Sequence, residues 1–178
     1  KSYVDTVRLL LESTPTLFQT PHFAMKGGTA INLFLKTMPR LSVDIDVVFT
    51  DYTTPRAQAL KAISQGLNQT QKQLSKFGID AQMAVTGGGD EIKLFIQRGT
   101  IQVKVEVNHV FRGTVLPIEI RKLNAEAQQV FTTELSAPIL ASGGGTSIPA
   151  LRSSSRRLAA CSMMSIFLPQ TARKMMTA

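Results

Sequence analysis

The chain has no tryptophan, a single cysteine (Cys161) and aromatic residues at only 6% of its 178 positions. One cysteine excludes an internal disulfide and a cysteine-built zinc site, and it predicts a reducing compartment, the cytoplasm. The scarcity of rings argues against stacking-based recognition of single strands. No apolar run is long enough to span a membrane, and no signal peptide is visible in the sequence.

Acidic residues are missing from one region. Residues 1–136 hold 15 Lys+Arg and 12 Asp+Glu, whereas residues 137–178 hold five Lys+Arg and no acid. Most of the formal net charge of +8 therefore lies in the last segment. A basic surface favours nucleotides or nucleic acid through counterion release. Exposed helix faces normally mix both signs, so a segment without any Asp or Glu is atypical. What remains is long enough for one domain with a real core.

The most informative stretch is Lys26–Phe49, KGGTAINLFLKTMPRLSVDIDVVF. Its end alternates as a strand, so Asp44 and Asp46 project to one side while Val43, Ile45 and Val47 face a core. Two adjacent carboxylates repel unless a positive group sits between them, and a divalent cation held by oxygen ligands is the usual one. Two surface aspartates at a strand end are the plain alternative. Upstream, the apolar run Phe23-Ala24-Met25 ends at Lys26-Gly27-Gly28-Thr29. Thr29 can cap a helix over Ala30–Lys36, and a strand, a glycine turn and a helix start together form an anion site. The plain alternative is an ordinary turn. Arg40 and Ser42 alternate with the aspartates. Arg40 suits either a phosphate or a salt bridge to Asp44.

Elsewhere, Tyr3–Ser13 reads as an amphipathic helix ended by Pro15, and Pro55–Phe77 as a long one capped by Gly78. Strands at Ile79–Val85, Ile92–Gln97 and Ile101–Val107 form an antiparallel meander, with Gly87-Gly88-Gly89-Asp90 as a hairpin loop. In the last of these strands Lys104, Glu106 and Asn108 share one face; alone, this is a half-buried strand with a Lys/Glu pair. His109 and Arg112 follow at the strand end with open roles. His22 reads as structural. Val115–Ile120 is expected as a strand, Leu123–Gln128 as a polar turn or helix, and Val130–Leu135 as extended.

Gly27-Gly28-Thr29-Ala30, the Arg40-x-Ser42-x-Asp44-x-Asp46 strand and the later Lys104-x-Glu106 strand resemble, in order, the first three motifs of the AbiEii/AbiGii-type toxin nucleotidyltransferases. The resemblance covers roughly residues 15–136. It implies an α+β fold of DNA polymerase β-like type, a mixed or antiparallel sheet flanked by helices, mainly on one face. Asp44, Asp46 and Glu106 would hold Mg²⁺ or Mn²⁺. Gly27, Gly28, Thr29, Arg40, Ser42 and Lys104 would contact the phosphates of an NTP. It further implies a toxin of a toxin–antitoxin or phage-defence pair, with tRNA as an acceptor and a cognate antitoxin as partner.

The family's helical fourth motif is missing. Residues 137–178 stand in its place as a basic, serine- and methionine-rich segment. Adjacent-frame codons across Cys161–Ser165 allow Leu-Phe-Asp-Asp-Val, which suggests a frameshift near residue 140; the rival reading is a genuine basic Ser/Arg tail, and the nucleotide sequence over codons 135–165 decides between them. Two alternatives stand beside the enzyme: a nucleotide-binding module with impaired turnover, and a nucleic-acid-binding protein acting through its basic tail.

Overall fold

A computed structural model describes residues 3–35, 42–85, 91–108 and 112–140. The chain separates into two compact units, 1–144 and 145–178, and every described residue belongs to the first. The fold is α+β. Among the described residues it comprises four helices, a π-helical turn and one mixed sheet of seven strands in the order β3-β4-β5-β2-β1-β7-β6.

The central strands are β1 (Phe23–Lys26), β2 (Asp44–Phe49) and β5 (Ile101–Asn108). β2 pairs antiparallel with β1 and parallel with β5. The meander adds β3 (Asp80–Val85) and β4 (Glu91–Arg98), antiparallel to each other and to β5 as the alternation predicts. The triple-glycine loop lies outside the described residues. On one face, Ile92, Leu94 and Ile96 stand opposite Val107, Val105 and Val103, all buried. Helices α1 (Tyr3–Leu17) and α3 (Arg56–Ser75) pack against each other and cover this apolar side of the meander. Val7, Leu10, Ile63 and Leu67 are fully buried there. A helix-period stripe and a period-two stripe thus join in one core.

Helix α1 runs past its expected end at Ser13, with Pro15 inside it. Proline removes the N–H that Leu11 would accept. Burial of Leu17 nevertheless favours the extra turn, and the hydroxyls of Ser13 and Thr14 donate to the carbonyls of Leu9 and Leu10 at 2.7 and 2.8 Å. Helix α3 ends as expected: Gly78 is left-handed (φ +68°), and the Ile79 N–H reaches the Leu74 carbonyl at 3.2 Å.

The helix expected over Ala30–Lys36 starts earlier and changes pitch. Helix α2 covers Gly27–Ala30 and passes into a π-turn at Ile31–Leu35. Asn124 explains the wider turn. Its side-chain amide donates to the Asn32 carbonyl and its N–H to the Leu33 carbonyl, each at 2.8 Å. Both carbonyls are thereby satisfied outside the helix. The same residue caps α4 (Ala125–Phe131), accepting from the Ala127 N–H at 2.7 Å. Two expectations are corrected here. Val130–Phe131 is helical rather than extended, because Ala127 and Phe131 bury one helical face, and the strand at Val115–Ile120 is β6 at Ile118–Lys122. The final strand β7 (Ser136–Leu140) pairs parallel with β1 and antiparallel with β6. It crosses the point at 136/137 where the sequence changes character. No described helix is long and apolar enough to cross a membrane.

Candidate active site

The face of the sheet opposite the buried valines carries the charged candidate residues, and strand register arranges them in lateral rows. One row runs Lys26, Asp46, Glu106, Lys93 across β1, β2, β5 and β4. The next runs Asp44, Lys104, Phe95, Gln82 across β2, β5, β4 and β3. Paired residues of neighbouring strands point to the same side. The parallel pairing of β2 with β5 therefore brings residues from distant parts of the sequence together: Asp44 beside Lys104 and Asp46 beside Glu106.

Lys104 sits between two carboxylates, its Nζ 3.3 Å from Asp44 Oδ2 and 3.2 Å from Glu106 Oε1. The same Glu106 oxygen meets Lys93 Nζ at 3.1 Å. Hydrogen bonding from Lys93, and then from Lys104, holds the Glu106 carboxyl below the usual range despite some desolvation. Lys104 is shifted up by its bonds to Glu106 and Asp44. Asp46 differs. Burial pushes its pKa up, Glu106 and Asp44 push it further, and Lys26 and Lys104 only partly oppose them. Asp46 is thus the least compensated carboxylate of the face.

Gly27 explains how Asp46 fits. Its φ is +76°, a left-handed conformation that suits glycine. A Cβ there would fall inside contact distance of Asp46 Oδ2, with Asp46 Cγ at 3.2 Å. The missing side chain leaves room for the carboxylate at the start of α2. Thr29 does not cap this helix; Lys26 holds the N-cap position. Thr29 is instead fully buried, and its hydroxyl donates to the Asp44 carbonyl, tying α2 to β2. What Gly28 and Thr29 can offer an anion is their main-chain N–H groups at the helix start.

Ser42 lies two residues before β2 and is half-buried. Arg40 and His109 lie outside the described residues, as does the basic segment from residue 141. Asn108 ends β5. Arg112 donates to the Thr54 carbonyl at 2.5 Å, fastening the loop after β2. The His22 ring packs on Phe49 at 5.6 Å, at the opposite end of β2 from Asp44.

Two lysines escaped the sequence reading. Lys93 was legible in the alternation Lys93-Phe95-Gln97, which places it on one face of β4, but only the register reveals Glu106 as its neighbour. Lys26 was visible before the glycines, and its opposition to Asp46 again depends on pairing.

Among the described residues no group of three or more His, Cys, Asp or Glu is already arranged as a metal cage. The donor set itself is of the type that suits a hard divalent cation: the carboxylates of Asp44, Asp46 and Glu106 on one face, the pKa of Asp46 raised by burial. Lys104 would have to swing from between Asp44 and Glu106 to admit it. A surface depression of about 450 Å³ lies along α4 among Ala125, Gln128 and Thr132, away from these groups. A smaller, more enclosed one of about 180 Å³ lies on the open sheet face.

A family model described as nucleotidyl transferase AbiEii toxin, type IV toxin–antitoxin system, matches residues 8–153. The match takes in every described strand and extends past β7. Comparison with curated proteins gives no match.

Proposed function

The chain belongs to the AbiEii nucleotidyl transferase toxin family, and on that premise we propose that it is a metal-dependent nucleotidyltransferase carrying a nucleotide from an NTP to an acceptor hydroxyl. The acceptor is RNA, tRNA foremost, and the setting is the cytoplasm, where a cognate antitoxin opposes a type IV toxin. The observation that carries this reading is the register of β2 with β5, which sets Asp44, Asp46 and Glu106 on one face beside the Gly27 turn.

Asp44, Asp46 and Glu106 would hold Mg²⁺ or Mn²⁺, which when bound neutralises charge on the phosphates and leaving group. The chain's own groups do the rest. The Gly27-Gly28-Thr29 turn receives the phosphates at the start of α2. Arg40, Ser42 and Lys104 add charge and hydrogen bonds. Lys26, at the end of β1 and opposite Asp46, stands at the same turn. The acceptor oxygen bonds to the α-phosphorus as the bond to pyrophosphate breaks, and the hydroxyl proton passes to a carboxylate of the face.

The test is transfer from α-labelled NTP to RNA with Mg²⁺. Wild-type chain should label RNA, and Asp46→Asn should lose the reaction by at least two orders of magnitude. Equal labelling by the two proteins would sink the assignment. One observation favours a second reading, a nucleotide-binding module with impaired turnover: Lys104 already bridges Asp44 and Glu106. That reading expects NTP binding without pyrophosphate release.

A further inference from the structure

We propose that the open face of β4 and β3 is the acceptor subsite, a platform for a base of a single-stranded RNA end; this rests on the transferase reading above. Three observations lead to it. The first is direction. In an in-line displacement the attacking and leaving oxygens lie on opposite sides of the phosphorus. In the sheet, β1 and the Gly27 turn flank β2 on one side, and β5, β4 and β3 extend on the other. With phosphates toward the turn, pyrophosphate leaves on that side. The acceptor hydroxyl therefore enters over β5 and β4.

The second observation is the lining. A depression of about 180 Å³ is formed there by Asp80, Gln82, Phe95, Gln97 and Gln102. Phe95 is a half-buried aromatic on a mainly polar face, in the same lateral row as Lys104 and Asp44. Rings are too scarce in this chain to stack successive bases along a strand, so this one beside the site serves a single base. The π-face of any base can stack on it. Gln82 and Gln102 are exposed and can donate and accept at a base edge, while Asp80 can accept from an exocyclic amine.

The third is continuity. Strands lie about 4.8 Å apart, so Phe95 on β4 stands about 10 Å from Asp44 on β2. That is within reach of the nucleotide carrying the hydroxyl or the one before it. Lys93 and Lys104 lie between the platform and the carboxylates, where the backbone phosphate of such a strand would pass.

The experiment is fluorescence anisotropy of the full chain with a labelled single-stranded oligoribonucleotide bearing a free 3′ hydroxyl, without NTP. Binding of a fluorescent NTP analogue is measured separately. Wild-type chain should bind the oligonucleotide. Phe95→Leu, which keeps the apolar contact and removes the ring, should weaken it on the order of tenfold. Gln82→Ala with Gln102→Ala, exposed positions that leave the fold intact, should also weaken it. NTP binding should be unchanged in both. Asp46→Asn should abolish transfer and leave RNA binding in place, so failure of the reaction and failure of the platform are separate results. The proposal falls if wild-type chain does not bind the oligonucleotide, or if folded Phe95→Leu and the double glutamine variant both bind it as wild type does. It also falls if Phe95→Leu weakens the NTP analogue instead, which would assign the platform to the base of the donor nucleotide.

Discussion

Replacing Gly27 by alanine should separate stability from activity. The backbone there has φ +76°, and a left-handed conformation costs a residue with a Cβ about 1–2 kcal/mol. The new methyl would also lie inside contact distance of Asp46 Oδ2 and 3.2–3.3 Å from Asp46 Cγ and Cβ. Ordinary carbon contacts need about 3.5–4.0 Å, so the carboxylate must retreat by roughly 1 Å. The obstacle is the end of a half-buried side chain, which can rotate, so little stability need be lost beyond the backbone term. Urea denaturation should then show a midpoint lower by roughly 0.5–1 M, for a slope near 2 kcal/mol/M. Activity should suffer far more, because a misplacement of about 1 Å at a reacting centre can cost about a hundredfold. Nucleotidyl transfer measured beside the urea midpoint checks both parts. Full transfer by a destabilised Gly27→Ala chain would refute the role given to Asp46. An unchanged midpoint would refute the account of the backbone.

Two further substitutions probe neighbouring contacts. Lys93→Met removes the hydrogen bond that does most to lower the Glu106 pKa, so that carboxyl should titrate at higher pH, read by NMR. A depressed carboxylate stabilises the fold above its unfolded-state pKa and loses that contribution as pH falls through its folded value; acid unfolding of the variant should therefore begin from a smaller neutral-pH advantage. Asn124→Ala loses the α4 cap and the bond to the Asn32 carbonyl and should cost about 2 kcal/mol by thermal or chemical denaturation. A loss below about 0.5 kcal/mol would mean the π-turn finds other partners.

The meander and the carboxylate strand were legible because their period-two alternation leaves one register that buries the valines. Asp44 and Asp46 could be paired from sequence for the same reason. Glu106 could join them only through family resemblance, since nothing local says that β5 lies parallel to β2. The π-turn was not legible at all. It depends on Asn124, some ninety residues downstream, taking two carbonyls that a regular helix would use itself. The end of α1 was missed because Pro15 is a strong local stop signal, outweighed here by burial of Leu17. At the glycine turn the sequence offered Gly27 and Gly28 alike. The positive φ and the close carboxylate belong to Gly27, because the helix begins there, three residues before the expected start at Ala30.

The charge rows imply a final test of what the face is built to hold. Glu106 meets two ammonium groups and Asp44 meets one, but Asp46 is half-buried beside both carboxylates, and desolvation outweighs its cations. A carboxyl whose folded pKa is raised binds its proton more tightly in the folded state. Folding is therefore most favourable below the ordinary aspartate range and loses stability as pH rises through the raised value. At neutral pH the fold carries this cost. Asp46→Asn removes it, so the variant should melt higher than wild type at pH 7, and the gap should close as the pH approaches 4. A divalent cation on the same face should relieve the cost differently. At ten times its dissociation constant it adds about 1.4 kcal/mol of stability to the protein that binds it. Mg²⁺ should thus raise the melting temperature of wild-type chain at pH 7 and raise that of Asp46→Asn much less. An equal Mg²⁺ effect on the two proteins would place the cation elsewhere. A variant less stable than wild type at pH 7 would show that the carboxylate contributes to folding and is not held there at a cost.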